Sequence, residues 1–417
     1  MKVERPRGTR DFKVGETRVR DAAERRITEV FESYSYGRIV TPVFEHAELF
    51  QIKSGDEIRE HMYVFKDKSD RLLCLRPEET ASVARMFVNE LKNERKPLKL
   101  YYSDRMFRYE RPQRGRYREF WQTGVELIGS DRPASDAEII VLASKCLQAL
   151  GLEFTLEIGH VGILKALLDD LKIKSEDHGR VFTLIDKGDV ESLKDIVKEK
   201  RFVEVIGLKG DVEALKKAAE LLDGSGGTAS ALRNLEEITS FAKAAGIDFR
   251  INLGIARGLE YYTGMVFEIR VDGLGAENQI CGGGRYDNLI EVFGGPKTPA
   301  VGFAFGFDRV VNALELQNKV KADRRKLICV TAVSAEEMAE SFRIAANLRE
   351  KLRGFSVDFE FSGKSLSKTL EIASNQGADY VVIVGRKELD SGEVTVRNMT
   401  DRSQENVKLD ELAEFFG

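Results

Sequence analysis

The chain has 417 residues, of which 42% are hydrophobic and 32% charged, and a formal net charge of −4. This composition excludes a disordered chain and supplies enough apolar residues for two or three domains, each with its own core. No stretch approaches the roughly 20 apolar residues of a membrane span, and the opening MKVERPRGTRDF lacks the apolar run of a secretion signal, so a cytoplasmic protein with no membrane partner is expected.

In chain order, the spacing of Val19, Ala22, Ala23, Ile27, Val30 and Phe31 predicts a helix over Val14–Tyr34, closed by the turn-like Ser35-Tyr36-Gly37. Arg38-Ile39-Val40-Thr41-Pro42 reads as a strand stopped by proline. Strands follow at Met62–Lys66, Leu72–Arg76 and Leu98–Phe107, with a helix over Thr80–Leu91 and a further strand signal at Gly124–Leu127. The pattern is mostly antiparallel, with no βαβ alternation and no GxxxxGK[ST] loop, so a bound nucleotide would have to be held by side chains. A helix over Pro133–Gly151 leads to a strand at Glu153–Ile158. From Val161 to Ala245 the periodicity is helical and no catalytic cluster occurs, which marks a helical insertion, 159–246, inside the first domain. Strands return at Phe249–Leu253, Val266–Val271 and Gln279–Gly282, a bend is expected at Gly282-Gly283-Gly284, and Val301–Leu314 joins a strand to a helix. After a charged linker, 319–326, come strand Leu327–Val333, helix Ala335–Leu352, strand Ser356–Phe361, helix Leu366–Asn375 and strand Tyr380–Val384. That alternation implies a separate α/β domain, 327–417, with a parallel sheet covered by helices. The expected fold is therefore an α+β domain on a mostly antiparallel sheet, in two parts (1–158 and 247–318) around the helical insertion, plus the C-terminal α/β domain.

A net negative chain does not suggest nucleic-acid binding, which needs clustered cations. Such a cluster exists locally: Arg105, Arg108, Arg111, Arg114, Arg116 and Arg118 lie among Tyr101, Tyr102, Phe107, Tyr109, Tyr117, Phe120 and Trp121. The four cysteines (Cys74, Cys146, Cys281, Cys329) form no CxxC pair, which argues against a disulfide framework or zinc site and for buried thiols. His46, His61, His160 and His178 are spread out and read as surface or packing residues, with no Ser/His/Asp arrangement.

Four segments can carry chemistry, and each has a plainer structural reading. In Leu75-Arg76-Pro77-Glu78-Glu79-Thr80, Thr80 or Glu78 serves as a helix cap or receives a substrate ammonium group. The stretch Phe107–Gln122 is a solvated charged hairpin, or its alternation brings Arg108 and Glu110 to one face with Arg116, Gln122 and Glu126, where arginine forks suit phosphate. In Ile255–Gly264, Tyr261 and Tyr262 are core packing or, with Arg257, a pocket for a planar polar ligand. In Gly302–Arg309 the glycines serve close packing and Arg309 the surface, or a ligand.

In order and spacing these segments resemble the class II aminoacyl-tRNA synthetases over nearly the whole chain, and the second and third resemble the histidyl-tRNA synthetases in particular. The first helix with Ile39–Pro42 looks like motif 1, Phe107–Glu126 like motif 2 and Val301–Val310 like motif 3. Arg257–Tyr262 and Gly282-Gly283-Gly284-Arg285-Tyr286-Asp287 resemble the histidine-specific segments. The resemblance implies ATP-dependent activation of L-histidine and its transfer to the 3′ end of tRNA(His). By the same resemblance Arg108 holds the α-phosphate, Arg309 reaches the γ-phosphate and adenine, Phe120 stacks on the adenine, and Glu110 and Arg116 complete the ATP site. Glu78, Thr80 and Gln122 would receive the amino group, Glu126 and Tyr262 the two imidazole nitrogens, and Tyr286 would close the pocket beside Tyr261. Arg257 takes the post between carboxylate and α-phosphate and forms the catalytic pair with Arg108. No dedicated protein metal site is implied, since Mg²⁺ arrives on ATP.

The resemblance further implies that the C-terminal domain binds the anticodon, that the insertion touches the acceptor arm, that Arg111–Gly115 meets the acceptor end, and that motif 1 makes a homodimer. Two positions depart from the family pattern: Glu79 stands where glycine is frequent, and Glu260 where aspartate is. The main alternative is a non-catalytic relative that regulates ATP phosphoribosyltransferase; such proteins generally lack the terminal domain and erode the arginines and tyrosines present here. A synthetase of the same class for proline or threonine is opposed by Arg257–Tyr262.

Overall fold

In the computed structural model, which describes residues 3–51, 60–112, 115–222, 226–256, 261–275, 278–319 and 324–417, helix Val14–Ser33 buries Ala22, Ala23, Ile27 and Phe31 along one stripe. The contacts divide the chain into two units, Met1–Ala322 and Asp323–Gly417. Along the first unit run β1 (Gly37–Arg38), β2 (Phe44–His46), β3 (Tyr63–Lys66), β4 (Leu72–Leu75), β5 (Leu98–Phe107), β6 (Glu119–Ile128), β7 (Thr155–His160), β8 (Lys209–Gly210), β9 (Arg250–Asn252), β10 (Met265–Arg270), β11 (Gln279–Arg285) and β12 (Ala300–Gly306). They form a nine-stranded sheet in the order β1-β5-β6-β12-β11-β10-β7-β9-β8 and a small sheet β2-β4-β3. From β5 to β7 every neighbour in the large sheet pairs antiparallel, as the alternating pattern implied.

Three local expectations are corrected. The strand expected over Arg38–Pro42 ends at Arg38, because Pro42 has no N–H to give a ladder and Thr41 turns its carbonyl and hydroxyl to Arg76 Nη1, each at 3.0 Å. Gly282-Gly283-Gly284 is no bend but the middle of β11, paired on both sides. There a Cβ on Gly283 would stand 2.5 Å from Gly302 O and 2.6 Å from Phe267 Cε1, so the glycines serve close packing. Among the described residues from Val161 to Ala244, helices joined by short turns are interrupted by β8, which joins the sheet beside β9. Leu164, Val181, Leu193, Phe202, Leu215 and Leu235 of this segment share one core with Ile27, Phe31, Ile139 and Phe303.

In the second unit, β13 (Lys326–Ala332), β14 (Phe355–Phe359), β15 (Tyr380–Val384), β16 (Glu393–Asn398) and β17 (Gln404–Lys408) form a sheet in the order β14-β13-β15-β16-β17. The first three pair in parallel, as expected, but β16 and β17 add an antiparallel edge, so the sheet is mixed. Helices Met338–Lys351 and Leu366–Asn375 cover separate apolar clusters of this sheet, one with Ile328, Val330 and Val382, the other with Cys329, Val381 and Ile383.

One buried ion pair fixes the helix Pro133–Ala149 to the large sheet. Asp136, fully buried in its first turn, accepts from Arg285 Nε at 2.9 Å and Nη2 at 2.9 Å, a bidentate fork from the end of β11. Burial outweighs the guanidinium and pushes the Asp136 carboxyl up to about 6. Removing the carboxylate leaves the buried guanidinium with Asp287 Oδ1, at 2.9 Å from Nη1, as its remaining counter-charge and takes away the fork on Nε and Nη2, so Asp136→Ala is expected to lose about 1.5–3 kcal/mol. Urea denaturation followed by circular dichroism measures this, and an unchanged midpoint would remove the pair from the account of the fold.

Candidate active site

Alternation along β6 places Phe120, Gln122, Gly124 and Glu126 on one face. Opposite them in register lie Gly306, Ala304 and Gly302 of β12, and beyond these Gly282 and Gly284 of β11. This strip of small residues lies beneath a cavity of about 340 Å³. The emptiness is required. A Cβ on Gly302 would collide with Glu126 Oε2, and one on Gly284 would stand 2.8 Å from Tyr262 Cδ1 and 2.6 Å from Met265 O.

At one end of the cavity Glu126 is buried at 1% exposure. Its Oε1 accepts from Thr80 Oγ1 at 2.7 Å and its Oε2 from Tyr286 Oη. Burial pushes this carboxyl up to about 8; the two hydroxyls oppose the shift, and the charges of Glu78 and Glu79 add to it. Glu78, also buried, accepts from the backbone N–H groups of Thr80 at 2.7 Å and Ala81 at 3.0 Å, so it caps helix Thr80–Met86 while facing the cavity. The capping and binding readings of this segment are thus compatible. Burial raises Glu78 as well, against those hydrogen bonds. Gln122 Oε1 is buried with no hydrogen-bond partner among the described residues, an acceptor left open to a ligand donor.

Behind this end, Glu79 accepts from Thr41 Oγ1 at 2.6 Å and lies 3.2 Å from Arg76 Nη1, while Arg76 Nη2 meets Asp104 at 2.8 Å. Glu79, one of the two departures noted in the sequence, therefore belongs to a buried cluster of ionisable groups with Arg76 and Asp104 beside Glu78. The Tyr261 and Tyr262 rings lie 4.9 Å apart, and Tyr261 meets Tyr286 edge to face at 5.7 Å. Lys165 Nζ, from helix Val161–Asp170, donates to Tyr262 O at 2.6 Å.

The other end is cationic. Arg108 donates through Nε to Pro77 O at 2.9 Å and lies 5.4 Å over the Phe120 ring. Arg309 donates to Gly115 O at 3.1 Å and Gln279 O at 2.8 Å, and Arg116 lies 3.8 Å from Glu110. Strand alternation does not bring Arg108, Glu110 and Arg116 together, since β5 ends at Phe107 and β6 begins at Glu119; the connection between the strands does so.

Every predicted site residue that is described lines this cavity, whereas Arg257 and Glu260 lie outside the described residues. The cavity also takes in His61, Tyr102, Tyr117, Trp121, Asp186 and Asp308, which the sequence reading did not assign. Tyr102 faces Gly124 across the β5–β6 ladder, and a Cβ there would stand 2.7 Å from its hydroxyl; this pairing is invisible without the register. The four cysteines are buried and free. Among the described residues no group of three or more His, Cys, Asp or Glu could hold a metal ion. An acidic, hydroxyl-lined end joined to an arginine-lined end suits a small cationic molecule bound beside a polyanion.

A family model described as histidyl-tRNA synthetase matches residues 8–310, and one described as an anticodon binding domain matches 327–417. A protein from Archaeoglobus fulgidus named histidine–tRNA ligase is 48% identical over 421 residues, covering 99% of each chain. Among solved structures, an apo S. aureus histidyl-tRNA synthetase aligns over 100% of both chains with a TM-score of 0.75 at 28% identity. One from Bacillus halodurans, described as an ATP phosphoribosyltransferase regulatory subunit/histidyl-tRNA synthetase, covers 92% of this chain and 98% of its own, with a TM-score of 0.78 at 26% identity. With one model spanning most of the first unit and a relative of this identity aligned from end to end, the chain belongs to the histidyl-tRNA synthetase family.

Proposed function

We propose that the protein is a histidine–tRNA ligase, which activates L-histidine with ATP and transfers it to the 3′ end of tRNA(His). The observation that carries this reading is Glu126: a buried carboxyl, held by Thr80 and Tyr286, at the opposite end of one cavity from Arg108, Arg116 and Arg309. Glu126 and Tyr262 take the imidazole, while Glu78, Thr80 and the open Gln122 Oε1 take the ammonium group. Phe120 stacks on adenine, Arg108 holds the α-phosphate and Arg309 the γ-phosphate, with Glu110 and Arg116 beside them. The histidine carboxylate attacks the α-phosphorus in line and pyrophosphate leaves. Charge building on the equatorial oxygens is met by Arg108 and by Arg257, which keeps the post between carboxylate and phosphate. Mg²⁺, carried in on ATP, would neutralise phosphate charge. The terminal ribose hydroxyl of the tRNA then attacks the adenylate carbonyl and AMP departs.

The same reading gives 327–417 the anticodon, the insertion 159–246 the acceptor arm, and Arg111–Gly115 the acceptor end. It makes the protein a cytoplasmic homodimer joined through motif 1. The regulatory-subunit reading is disfavoured because the terminal segment matches an anticodon-binding model and the arginines at the cationic end are in place.

ATP–pyrophosphate exchange with each of the twenty amino acids is expected to respond to histidine alone. Exchange with another amino acid would keep the fold and refute the pocket, and none would favour the regulatory subunit. Because they act on one carboxyl, Glu126→Ala and Gly302→Ala should each lower kcat/KM for histidine by ~100-fold or more, the cost of a lost hydrogen bond to a charged group in a buried site. Near-normal exchange by Glu126→Ala would sink that assignment.

A pH dependence follows from the raised carboxyl. Free Glu126 keeps its proton up to about pH 8, while free imidazole loses its own near ~6.5. Between these values the partners bring one proton to share. Below the window binding must release a proton, and above it binding must take one up. The kcat/KM for histidine should therefore be bell-shaped over this window, and Glu126→Gln should lose the alkaline limb assigned to Glu126. A wild-type profile flat from pH 6 to 9 would contradict the shared proton.

A further inference from the structure

The cationic end of the cavity is backed by a stack of side chains rising from the N-terminal segment. Arg10 lies 4.9 Å over the Tyr117 ring and 4.8 Å over Phe12. Arg20, on the first helix, lies 4.2 Å over Phe12 and 4.8 Å over Trp121, and Arg105 lies 4.9 Å over Trp121 in turn. Rings and guanidinium groups thus alternate, an arrangement arginine suits because it can stack its face and hydrogen-bond along its edge. Backbone and side-chain bonds tie the segment down: Arg118 N donates to Gly8 O at 2.9 Å, and Arg10 Nη1 to Tyr117 Oη at 2.9 Å.

At the centre of the stack Arg20 Nη1 donates to Asp308 Oδ1 at 2.7 Å, with both side chains below a tenth exposed. Asp308 Oδ2 accepts from the backbone N–H of Trp121 at 2.9 Å. This one carboxylate therefore clamps the first turn of helix Phe307–Leu316, where Arg309 follows it, to the start of β6, where Trp121 stands between Phe120 and Gln122. The second terminal nitrogen of the guanidinium, Nη2, has no acceptor among the described residues and is left to the rings.

We propose that Arg20, acting through Asp308, is a positioning residue for the ATP half of the site, holding Phe120 and Arg309 in mutual register, with Arg10 and Phe12 bracing it from the N-terminal segment. The proposal rests on the ligase reading for the roles of Phe120 and Arg309. A carboxylate held only by Trp121 N–H would be a buried charge with one donor and free to swing; Arg20 supplies the opposite charge and the second hydrogen bond. Glu126, Thr80 and Tyr286 bond one another at the other end of the cavity and do not share this clamp.

The test compares the full-length wild type with Arg20→Ala and Arg20→Lys in ATP–pyrophosphate exchange, varying each substrate in turn. Arg20→Ala is expected to raise KM for ATP on the order of tenfold and to leave KM for histidine within about twofold. Arg20→Lys, which keeps the charge but loses the planar stack, should fall between. ATP titrations read by the fluorescence of Trp121, the single tryptophan, give the same comparison without any amino acid. If Arg20→Ala fails to fold by circular dichroism, Phe12→Leu removes one ring and keeps the ion pair, and it should show a smaller rise confined to ATP. An equal rise in both KM values, or unchanged ATP binding in a folded Arg20→Ala, overturns the proposal. A wild type that binds ATP but shows no histidine-dependent exchange would refute the ligase reading instead, and the fluorescence comparison would still decide the role of Arg20.

Discussion

The carboxyl of Glu126 sets the terms for the residues around it. At 1% exposure, and with hydroxyls rather than a guanidinium on its two oxygens, its charged form is costly. The surrounding chain is arranged to tolerate it. Gly302, its partner across the β6–β12 ladder, must lack a Cβ, because one would occupy the place of Oε2. Gly284, next in the same row, must lack one for the Tyr262 ring. Thr80 can supply its hydroxyl because helix Thr80–Met86 starts at that point, and it starts there because Glu78 takes the free N–H groups of its first turn. A row of glycines and a helix cap are thus consequences of holding one acid out of water.

Residue identity made much of this site legible in the sequence. Phe120, Gln122 and Glu126 follow strand alternation, and Arg309 sits where a glycine-bearing strand turns into a helix. What the sequence did not carry was register. Gly282-Gly283-Gly284 reads as a bend when each glycine is judged alone, yet its neighbours are Tyr262, Phe267 and Gly302, all distant in sequence. Tyr102 looks like one more strand aromatic until Gly124 is known to lie opposite. In the C-terminal unit, Val394 and Val396 alternate as a strand should, and it is with them that the sheet turns antiparallel, but the polar Gln404–Lys408 at the edge has no apolar rhythm. An edge strand of this kind is specified by its partner more than by its own composition.

The charge pattern resolves the puzzle of an acidic protein acting on anions. A net charge of −4 governs long-range behaviour, but binding in a cavity answers to the local field. Here the two ends differ in kind, one rich in carboxyls that burial makes reluctant to ionise until a cation arrives, the other rich in guanidinium groups. Glu78, Glu79 and Glu126 crowd one end, each raised by burial, and Arg108, Arg116 and Arg309 line the other. On the proposed reading a molecule with an ammonium group and an imidazole meets the first end, and a phosphate chain the second.

The two ends are also braced by different parts of the chain. The acidic end leans on the helical segment through Lys165, which holds Tyr262 O, and on helix Pro133–Ala149 through Asp136, whose pair with Arg285 fixes the end of the strand leading to Tyr286. The cationic end leans on the first helix through Arg20 and Asp308. Since the two braces share no side chain, a change in one can alter the hold on one substrate and spare the other. Residues in contact or in one network couple strongly, whereas separate ones add. The floor between them is made by Gly302, Ala304 and Gly306 of β12 and Gly282 of β11, nearly bare of side chains on that face. In the proposed reaction the histidine carboxylate then approaches the α-phosphorus across this floor.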